Sequence, residues 1–352
     1  MSTSTSEYHS EILDGRDGVE RAGALLRSGK LVVIPTETVY GLAASAVDSV
    51  AVRAIFAAKE RPQDNPLIVH LRNVTAALEL CPPESAAARR LLEAFAPGPI
   101  TVVVPSDGRF APEINHGLDT VAIRVPALVQ ARDVIAAAGV PLAAPSANRS
   151  GRPSPTSLEM AIAEMDGRVA AILDGGPCTV GIESTVVDAT APDRLRILRP
   201  GYITAEEIRR ETGLPVETIA AAVGDDDVVR RSPGTRYRHY TPHIPVVLVA
   251  PERVPRVMND PRLTGFGSGG PVWVLRCGGA AADDPVSPHH VVTLASPEEY
   301  ARRVFHLFWS AERQGAAMII AEEPDRATAP GLADRLQRAA TCRYPELPGS
   351  PR

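Results

Sequence analysis

The sequence predicts an α/β protein with two domains of unequal size. Helical patterns alternate with short apolar runs from residue 17 to about residue 212. The pattern then breaks into Gly, Pro, Asp and Arg, and a second, shorter alternation begins near residue 246. A chain of 352 residues, 44% of them apolar, suits about two domains. We therefore expect a first domain over 1–212, a linker over 213–244, a small three-layer α/β domain over 245–342 and a tail over 343–352.

The first domain is predicted to contain six helices and seven strands. Apolar residues three and four positions apart predict helices, whereas short β-branched or aliphatic runs predict strands. The predicted helices are 17–28, 50–58, 86–95, 129–138, 157–165 and 205–211. The predicted strands are 31–34, 67–71, 101–104, 121–125, 141–144, 170–173 and 185–188.

The second domain is predicted to contain four strands and two helices. The strands are 246–249, 272–275, 291–294 and 318–321, and the helices are 297–314 and 332–340. A Ser or Thr followed three residues later by Glu is the capping-box pattern that begins a helix. This pattern occurs at Thr156, Thr204 and Ser296.

Composition and charge exclude several classes of protein. The formal net charge is −5, so no global basic field attracts nucleic acid, although a local basic stretch remains compatible with it. The four cysteines, at 81, 178, 277 and 342, are too scattered for a zinc site or a disulfide framework, which favours a reducing cytoplasm. The N-terminus is polar, and no segment approaches about 18 uninterrupted apolar residues, so we expect neither export nor a membrane span.

One loop between a predicted helix and a predicted strand concentrates polar side chains. Lys59, Arg61, Asn65 and His70 fall within twelve residues. Only two of the 37 basic residues are lysines, so a compact point charge at position 59 suits a phosphate or a carboxylate ligand. The alternative is a solvated helix C-terminus, where Lys and Arg interact favourably with the helix dipole.

Three further polar segments lie at strand ends. Ser146 and Asn148 follow a buried strand and precede a helix, an arrangement suited to phosphate, and helix capping alone does not account for both. Polar residues 181–185 begin another strand, and 198–201 follow it. Arg124 interrupts an apolar strand, so it requires an anionic partner from the protein or from a ligand.

These segments together resemble the YrdC-like family of threonylcarbamoyl-AMP synthases. The matching motifs, in order, are PTETVYGL (35–42), K-x-RP-x-x-NPLIVH (59–70), FxPGPxT (95–101), TVAxRxP (120–126), PSAN-x-SGRPSPT (145–156), GxEST (181–185) and LRPG (198–201). Residues 232–242 resemble the linker of the long two-domain form, and 300–341 resemble its C-terminal domain. Thr235, where Met is expected, and a thinned glycine pattern at 330–333 depart from the family.

The resemblance implies a fold and a reaction. The fold would be a YrdC-like twisted mixed sheet with helices, plus a small Rossmann-like C-terminal domain. The reaction would join L-threonine, bicarbonate and ATP into threonylcarbamoyl-AMP and pyrophosphate, the first step of threonylcarbamoyladenosine (t6A) modification of tRNA. Mg²⁺ would be held mainly by phosphates, without protein ligands of its own. The downstream partner would be the tRNA threonylcarbamoyl-transfer complex, with RNA contact left open.

The resemblance also assigns residues. Those expected in catalysis are Lys59, Arg61, Ser146 and Asn148. Those expected at ATP are Arg61, Asn65, Thr120, Ser146, Ser154, Arg199 and Tyr240. Those expected at L-threonine are Thr38, His70, Arg124, Ala144 and Ser184.

The linker and two rival functions complete the expectations. Residues 228–250 contain four arginines and no Asp or Glu, and we hypothesise that this stretch closes over the active site and excludes water. One rival function is a carbamoyltransferase that handles carbamoyl-adenylate. The other is an RNA-binding protein without catalysis.

Overall fold

The computed structural model describes residues 9–62, 65–218, 240–260, 262, 270–278 and 289–346. Most of the predicted linker, including its family motif up to residue 239, lies outside these residues, as does the tail beyond residue 346. No helix in the described ranges is long and apolar enough to cross a membrane.

The first domain is built on a large mixed sheet. Within the described residues the sheet has eleven strands in the order β1-β8-β2-β3-β7-β4-β6-β5-β9-β10-β11. The strands are β1 Glu11–Leu13, β2 Val32–Ile34, β3 Gly41–Ser45, β4 Ile68–His70, β5 Ile100–Pro105, β6 Thr120–Arg124, β7 Leu142–Ala143, β8 Ala171–Leu173, β9 Thr185–Asp188, β10 Leu195–Arg199 and β11 Val216–Thr218. Parallel pairs such as β4 with β6 occur beside antiparallel pairs such as β5 with β6, which confirms a mixed sheet.

Helices cover both faces of this sheet. They are α1 Gly15–Arg27, α2 Ser49–Lys59, α3 Val74–Leu78, α4 Ala86–Phe95, α5 Val129–Ala138, α6 Leu158–Met165 and α7 Ala205–Thr212. On β2, Val33 belongs to one apolar core, whereas Val32 and Ile34 belong to another. Successive side chains of a strand point to opposite faces, so the two cores lie on the two sides of the sheet.

The second domain is a smaller three-layer α/β unit. Its strands are β12 Val246–Val249, β13 Val272–Cys277, β14 His290–Leu294, β15 Met318–Glu322 and β16 Cys342–Arg343, in the order β14-β13-β15-β12-β16. All pairs of neighbouring strands in that order are parallel. Its helices are α8 Val254–Met258, α9 Pro297–Arg313 and α10 Pro330–Ala339.

The two domains share an apolar core. Val39, Met160 and Ile182 of the first domain pack in one cluster with α9, α10 and strands of the second domain. Two glycines mark where the backbones meet: a Cβ on Gly331 would lie 2.4 Å from the carbonyl oxygen of Gly201. Helix α10 therefore rests directly on the main chain of the first domain.

The bounds of the predicted helices and strands agree closely with those in the structure. Helices α4 and α5 and strands β9 and β12 have the predicted bounds, and the other predicted elements begin and end within two residues of them. Among the strands and α-helices of the described residues, the prediction missed β1, β3, β10, β11, β16, α3 and α8. Because β11 pairs with β10, the first sheet continues past residue 212.

One of the three predicted helix starts is wrong, and one is only half formed. The N-cap of α6 is Ser157, whose hydroxyl accepts from the Met160 amide, because Thr156 instead donates its hydroxyl to the Met160 sulfur. Thr204 forms the complete capping box with Glu207. Ser296 caps α9, but the Glu299 carboxylate accepts from the Ala295 amide and not from Ser296.

Candidate active site

A cavity at the ends of the central strands brings most of the predicted site residues together. Strands β4 and β6 are parallel, and their register places His70 directly beside Arg124. The predicted residues that line the cavity are Lys59, Arg61, His70, Arg124, Ala144, Ser146, Asn148, Ser184, Arg199 and Tyr240. Segments far apart in sequence therefore meet at one site, as expected where strand ends converge.

Four predicted residues lie behind the lining, as far as the described residues show. Thr38 is fully buried, and its hydroxyl accepts from Arg124 Nη2 at 2.8 Å. Ser154 donates its hydroxyl to the Glu183 carboxylate, which itself lines the cavity. Asn65 and Thr120 are also buried. Thr38 and Ser154 thus support lining residues, and contact of any of the four side chains with a ligand stays a prediction.

Lys59 is buried at the last residue of α2. Its ammonium donates to the main-chain carbonyls of Ser146 and Asn148, and its own carbonyl accepts from the Ser150 amide at 2.9 Å. Burial, and then the charge of Arg61, lower the pKa of Lys59 well below its usual value. An ammonium carries three N–H donors, and two are used by these carbonyls. Lys59 thus holds the 146–150 segment in place and keeps one donor for a ligand.

Asn148 is oriented by its amide group. Its Nδ2 donates to the carbonyls of Arg149 at 2.8 Å and Arg152 at 2.9 Å. Its Oδ1 is buried and accepts no hydrogen bond from the described residues. A buried acceptor without a partner is costly, so this oxygen is suited to a ligand or to a cation.

Arg124 forms an ion pair with a carboxylate that the sequence analysis did not assign. Its Nη2 donates to Glu37 Oε1 at 2.7 Å, and both side chains are buried. Burial alone would raise the pKa of Glu37, but the charge and hydrogen bond of Arg124 outweigh it and lower that pKa. Arg124 Nε makes no hydrogen bond within the described part of the chain. The guanidinium therefore retains a donor for an anionic ligand.

His70 is a neutral imidazole in this environment. Burial, and then the positive charge of Arg124, lower its pKa to about 3. Its Nδ1 lies 3.2 Å from the carbonyl oxygen of Ile68. A hydrogen bond donated by Nδ1–H leaves Nε2 as an acceptor. His70 can therefore accept a hydrogen bond from an amine or a hydroxyl group of a ligand.

A second group of charged residues, Arg199 and Glu183, also lines the cavity. Arg199 Nη2 donates to the carbonyl of Ser184 at 3.0 Å and to its hydroxyl at 3.2 Å. Glu183 accepts from Arg335 Nε at 2.8 Å. Burial raises the pKa of Glu183, but the charges of Arg335 and Arg199 lower it below its usual value. Tyr240, whose phenol pKa burial raises to about 12, stays neutral.

Sequence reasoning missed three residues around the site. Glu37 and Glu183 stand inside matched motifs, and their position there was the available signal. Arg335 lies in α10 of the second domain, and no local pattern distinguishes it from the other arginines.

Family models cover nearly the whole chain. The Sua5_yciO_yrdC model, described as "Telomere recombination", matches residues 24–201. The model described as "Threonylcarbamoyl-AMP synthase, C-terminal domain" matches residues 203–341.

Individual relatives agree with these models. The chain is 38% identical over 326 residues to a threonylcarbamoyl-AMP synthase of Bacillus subtilis, with 92% of each chain covered. A crystal structure of Pyrococcus abyssi Sua5 complexed with L-threonine matches 95% of this chain and 99% of its own, at 36% identity and a TM-score of 0.81. E. coli YciO, at 20% identity and a TM-score of 0.50 over 56% of this chain, shares the fold.

Proposed function

The chain belongs to the threonylcarbamoyl-AMP synthase family, and we propose that the cavity is its active site. There it joins L-threonine, bicarbonate and ATP into threonylcarbamoyl-AMP and pyrophosphate, the first step of t6A modification of tRNA. One observation carries the proposal: Arg124 and His70 stand side by side in the same cavity as Lys59, Ser146 and Asn148. Groups suited to an amino acid thus adjoin groups suited to a triphosphate.

The reaction requires cations and close positioning. Bicarbonate takes up a proton and releases water to give CO2. The threonine amine attacks this CO2, loses a proton and becomes a carbamate. A carbamate oxygen then attacks the α-phosphorus of ATP, and the bond to the β-phosphate oxygen breaks as pyrophosphate leaves. Both reactants are anions, so holding them in line and neutralising their charge supply most of the catalysis. Lys59, Arg61, Arg124 and Arg199 supply that charge.

The threonine subsite is proposed around Arg124 and His70. The free Nε donor of Arg124 suits the threonine carboxylate, while Glu37 and Thr38 hold the guanidinium in place. Neutral His70 can accept from the amine or the hydroxyl group. The small side chain of Ala144 leaves room beside them, and Ser184 adds a hydroxyl. The L-threonine in the Pyrococcus abyssi Sua5 structure supports this class of ligand.

The ATP subsite is proposed in the same cavity, adjoining the threonine subsite at Ser184 and Arg199. Lys59, Arg61 and Arg199 would contact phosphates, with Ser146 beside them. Tyr240, stacked on Phe305 with 5.3 Å between ring centroids, supplies an aromatic wall. The remaining predicted residues, Asn65, Thr120 and Ser154, would act from behind the lining.

Magnesium is proposed as the companion of ATP. No group of three or more His, Cys, Asp or Glu side chains in the described ranges could hold a metal ion by itself. The buried Oδ1 of Asn148 is an oxygen of the type that Mg²⁺ prefers, and the phosphates would supply further oxygens. The bound ion would neutralise phosphate charge.

The linker and the downstream partner also remain proposals. We propose that the linker, predicted over 213–244, closes over the cavity with the part that follows β11, because residues 216–218 belong to the first sheet. The end of this segment supports closure, because Tyr240 lines the cavity and the Thr241 amide donates to the Gly151 carbonyl at 2.9 Å. A closed site would keep water away from the labile carbamate and adenylate. The product would pass to the tRNA threonylcarbamoyl-transfer complex.

The test is pyrophosphate release from ATP, Mg²⁺ and bicarbonate, with and without L-threonine. We expect release that requires threonine and that falls by about 100-fold or more in Lys59→Ala. Lys30→Ala is the matched control, because it removes the chain's other lysine, which is exposed. Release that ignores threonine, or equal activity in the two variants, would contradict the assignment. The absence of any release would favour the binding protein without catalysis.

A further inference from the structure

One arginine of the second domain is buried against the candidate ATP subsite of the first domain. Arg335 lies in α10 and is 0% exposed. Its Nε donates to Glu183 Oε2 at 2.8 Å, and its Nη1 donates to the Pro200 carbonyl at 2.8 Å. Its guanidinium carbon lies 5.3 Å from the centroid of the Tyr240 ring.

Each of these three contact partners lines the cavity or directly follows a residue that lines it. Glu183 lines the cavity and accepts the hydroxyl of Ser154 with its other oxygen. Pro200 directly follows Arg199, and Tyr240 forms part of the cavity wall. A single side chain therefore connects three separate segments of the first-domain site and its linker.

The negative charge of Glu183 makes its contact with Arg335 important for ATP binding. Glu183 is a buried carboxylate facing a site proposed to take a polyanion, so without compensation it would repel the phosphates. Arg335 donates a hydrogen bond directly to Glu183, whereas Arg199 donates hydrogen bonds to Ser184. Removing one partner of a buried ion pair leaves the other charge uncompensated, which is costly. Arg335, together with the charge of Arg199, thus keeps the Glu183 side of the cavity close to neutral.

The position of Arg335 is set by close packing. On the same helix Gly331 touches the main chain at Gly201, and Asp334 accepts from Arg335 Nη1 at 2.8 Å. The helix therefore cannot approach more closely without displacing the main chain at Gly201. Fixed backbone contact of this kind restricts the guanidinium to one geometry.

We propose that Arg335 is a positioning residue for ATP, supplied by the second domain. It orients Glu183 and Tyr240 and balances the Glu183 charge, and it does not itself touch the reacting atoms. This inference rests on the proposed function, since it names what the second domain contributes to the same site. The structural alternative is that Arg335 only docks the two domains.

A second interdomain ion pair provides the matched control. Arg152 Nη2 donates to the Glu312 carboxylate at 3.0 Å and 3.2 Å. Like Glu183 with Arg335, this pair joins the first domain to the second, but neither of its members lines the cavity as described. Glu312 also accepts from the His243 amide of the linker at 3.4 Å, and glutamine keeps an oxygen for that bond. Glu312→Gln therefore removes an interdomain ion pair without changing the charge of a residue that lines the cavity.

The experiment measures the Kd of Mg-ATP by calorimetry for the full chain, which requires no turnover. We expect Arg335→Met to weaken ATP binding about 10- to 100-fold, with the Kd of L-threonine changed less than about 3-fold. Adding Glu183→Gln to Arg335→Met should recover part of the ATP affinity, because the unpaired carboxylate is gone. Glu312→Gln should bind ATP like the wild type.

The conservative variant covers the case in which Arg335→Met does not fold. Arg335→Lys keeps the charge but cannot reach Glu183 and Pro200 with one fork, so we expect ATP binding to weaken by about 2- to 5-fold. The inference is overturned if Arg335→Met, or Arg335→Lys where Arg335→Met does not fold, leaves the Kd of ATP unchanged while lowering Tm. Equal weakening of ATP and threonine binding would also overturn it. Failure of pyrophosphate release in the wild type would reject the proposed function instead.

Discussion

His70 should make the stability of the protein depend on pH in a range where few other groups titrate. The perturbation is His70→Gln, which keeps a polar side chain of similar reach but removes the titrating imidazole. In the folded protein burial, and then the charge of Arg124, lower the pKa of His70 from 6.5 to about 3. In the unfolded chain the ordinary pKa of about 6.5 applies.

Proton linkage gives the direction and the magnitude of the effect of pH on the free energy of unfolding. Between the two pKa values the unfolded state binds a proton that the folded state does not, so stability falls as the pH falls from 6.5 toward 3. The stabilising effect is fully present above the unfolded pKa. From pH 7 to pH 5 this one residue should reduce the free energy of unfolding by about 2 kcal/mol.

The assay is urea unfolding of the wild type and of His70→Gln at pH 7 and pH 5. The wild type should lose about 2 kcal/mol more than the variant between these two conditions. His243→Gln serves as a control for loss of an imidazole that is largely exposed. Equal pH dependence in the wild type and in His70→Gln would refute the reasoning, since it would mean that His70 takes up a proton in the folded state.

Three further variants test packing, capping and the threonine subsite. Gly331→Ala would place a Cβ 2.4 Å from the Gly201 carbonyl oxygen, so α10 must shift. We expect calorimetry to show a lower Tm and weaker ATP binding. Wild-type values of both would contradict this contact. Thr204→Ala removes a complete capping box and should lower the free energy of unfolding in urea by about 1 kcal/mol, whereas no change would mean that the cap is not stabilising. Arg124→Lys keeps the charge beside Glu37 but loses the forked guanidinium. The KM for threonine should therefore rise by about 10-fold with the Kd of ATP unchanged. A weaker Kd of ATP with an unchanged KM for threonine would exchange the two subsites.

Local pattern predicted the elements that form from contiguous apolar residues. Strand β9 and helix α5 occur with the predicted bounds because their periodicities differ from those of their surroundings. Strand β3, Gly41–Ser45, was missed because small residues show no alternation. It is a strand because it pairs with β2 on one side and β7 on the other, and neither partner is visible in its own sequence.

The candidate active site was likewise predicted in part from the sequence, while its contacts became visible only in the structure. Motifs and residue types were enough to predict Lys59, His70, Arg124 and seven of the other residues that line the cavity. Motifs state which side chains a site needs, but not which atoms they meet. That Arg124 is held by Glu37 became visible only when the strands were placed side by side.

The sequence by itself determined the fold class, the order of the elements and the family, because these depend on periodicity and on motifs within short stretches of chain. Only the tertiary structure decided how charge is balanced in the cavity. Glu183 and Arg335 lie 152 residues apart and in different domains. Their contact depends on how α10 settles against Gly201, a consequence of close packing between distant segments that no local pattern encodes.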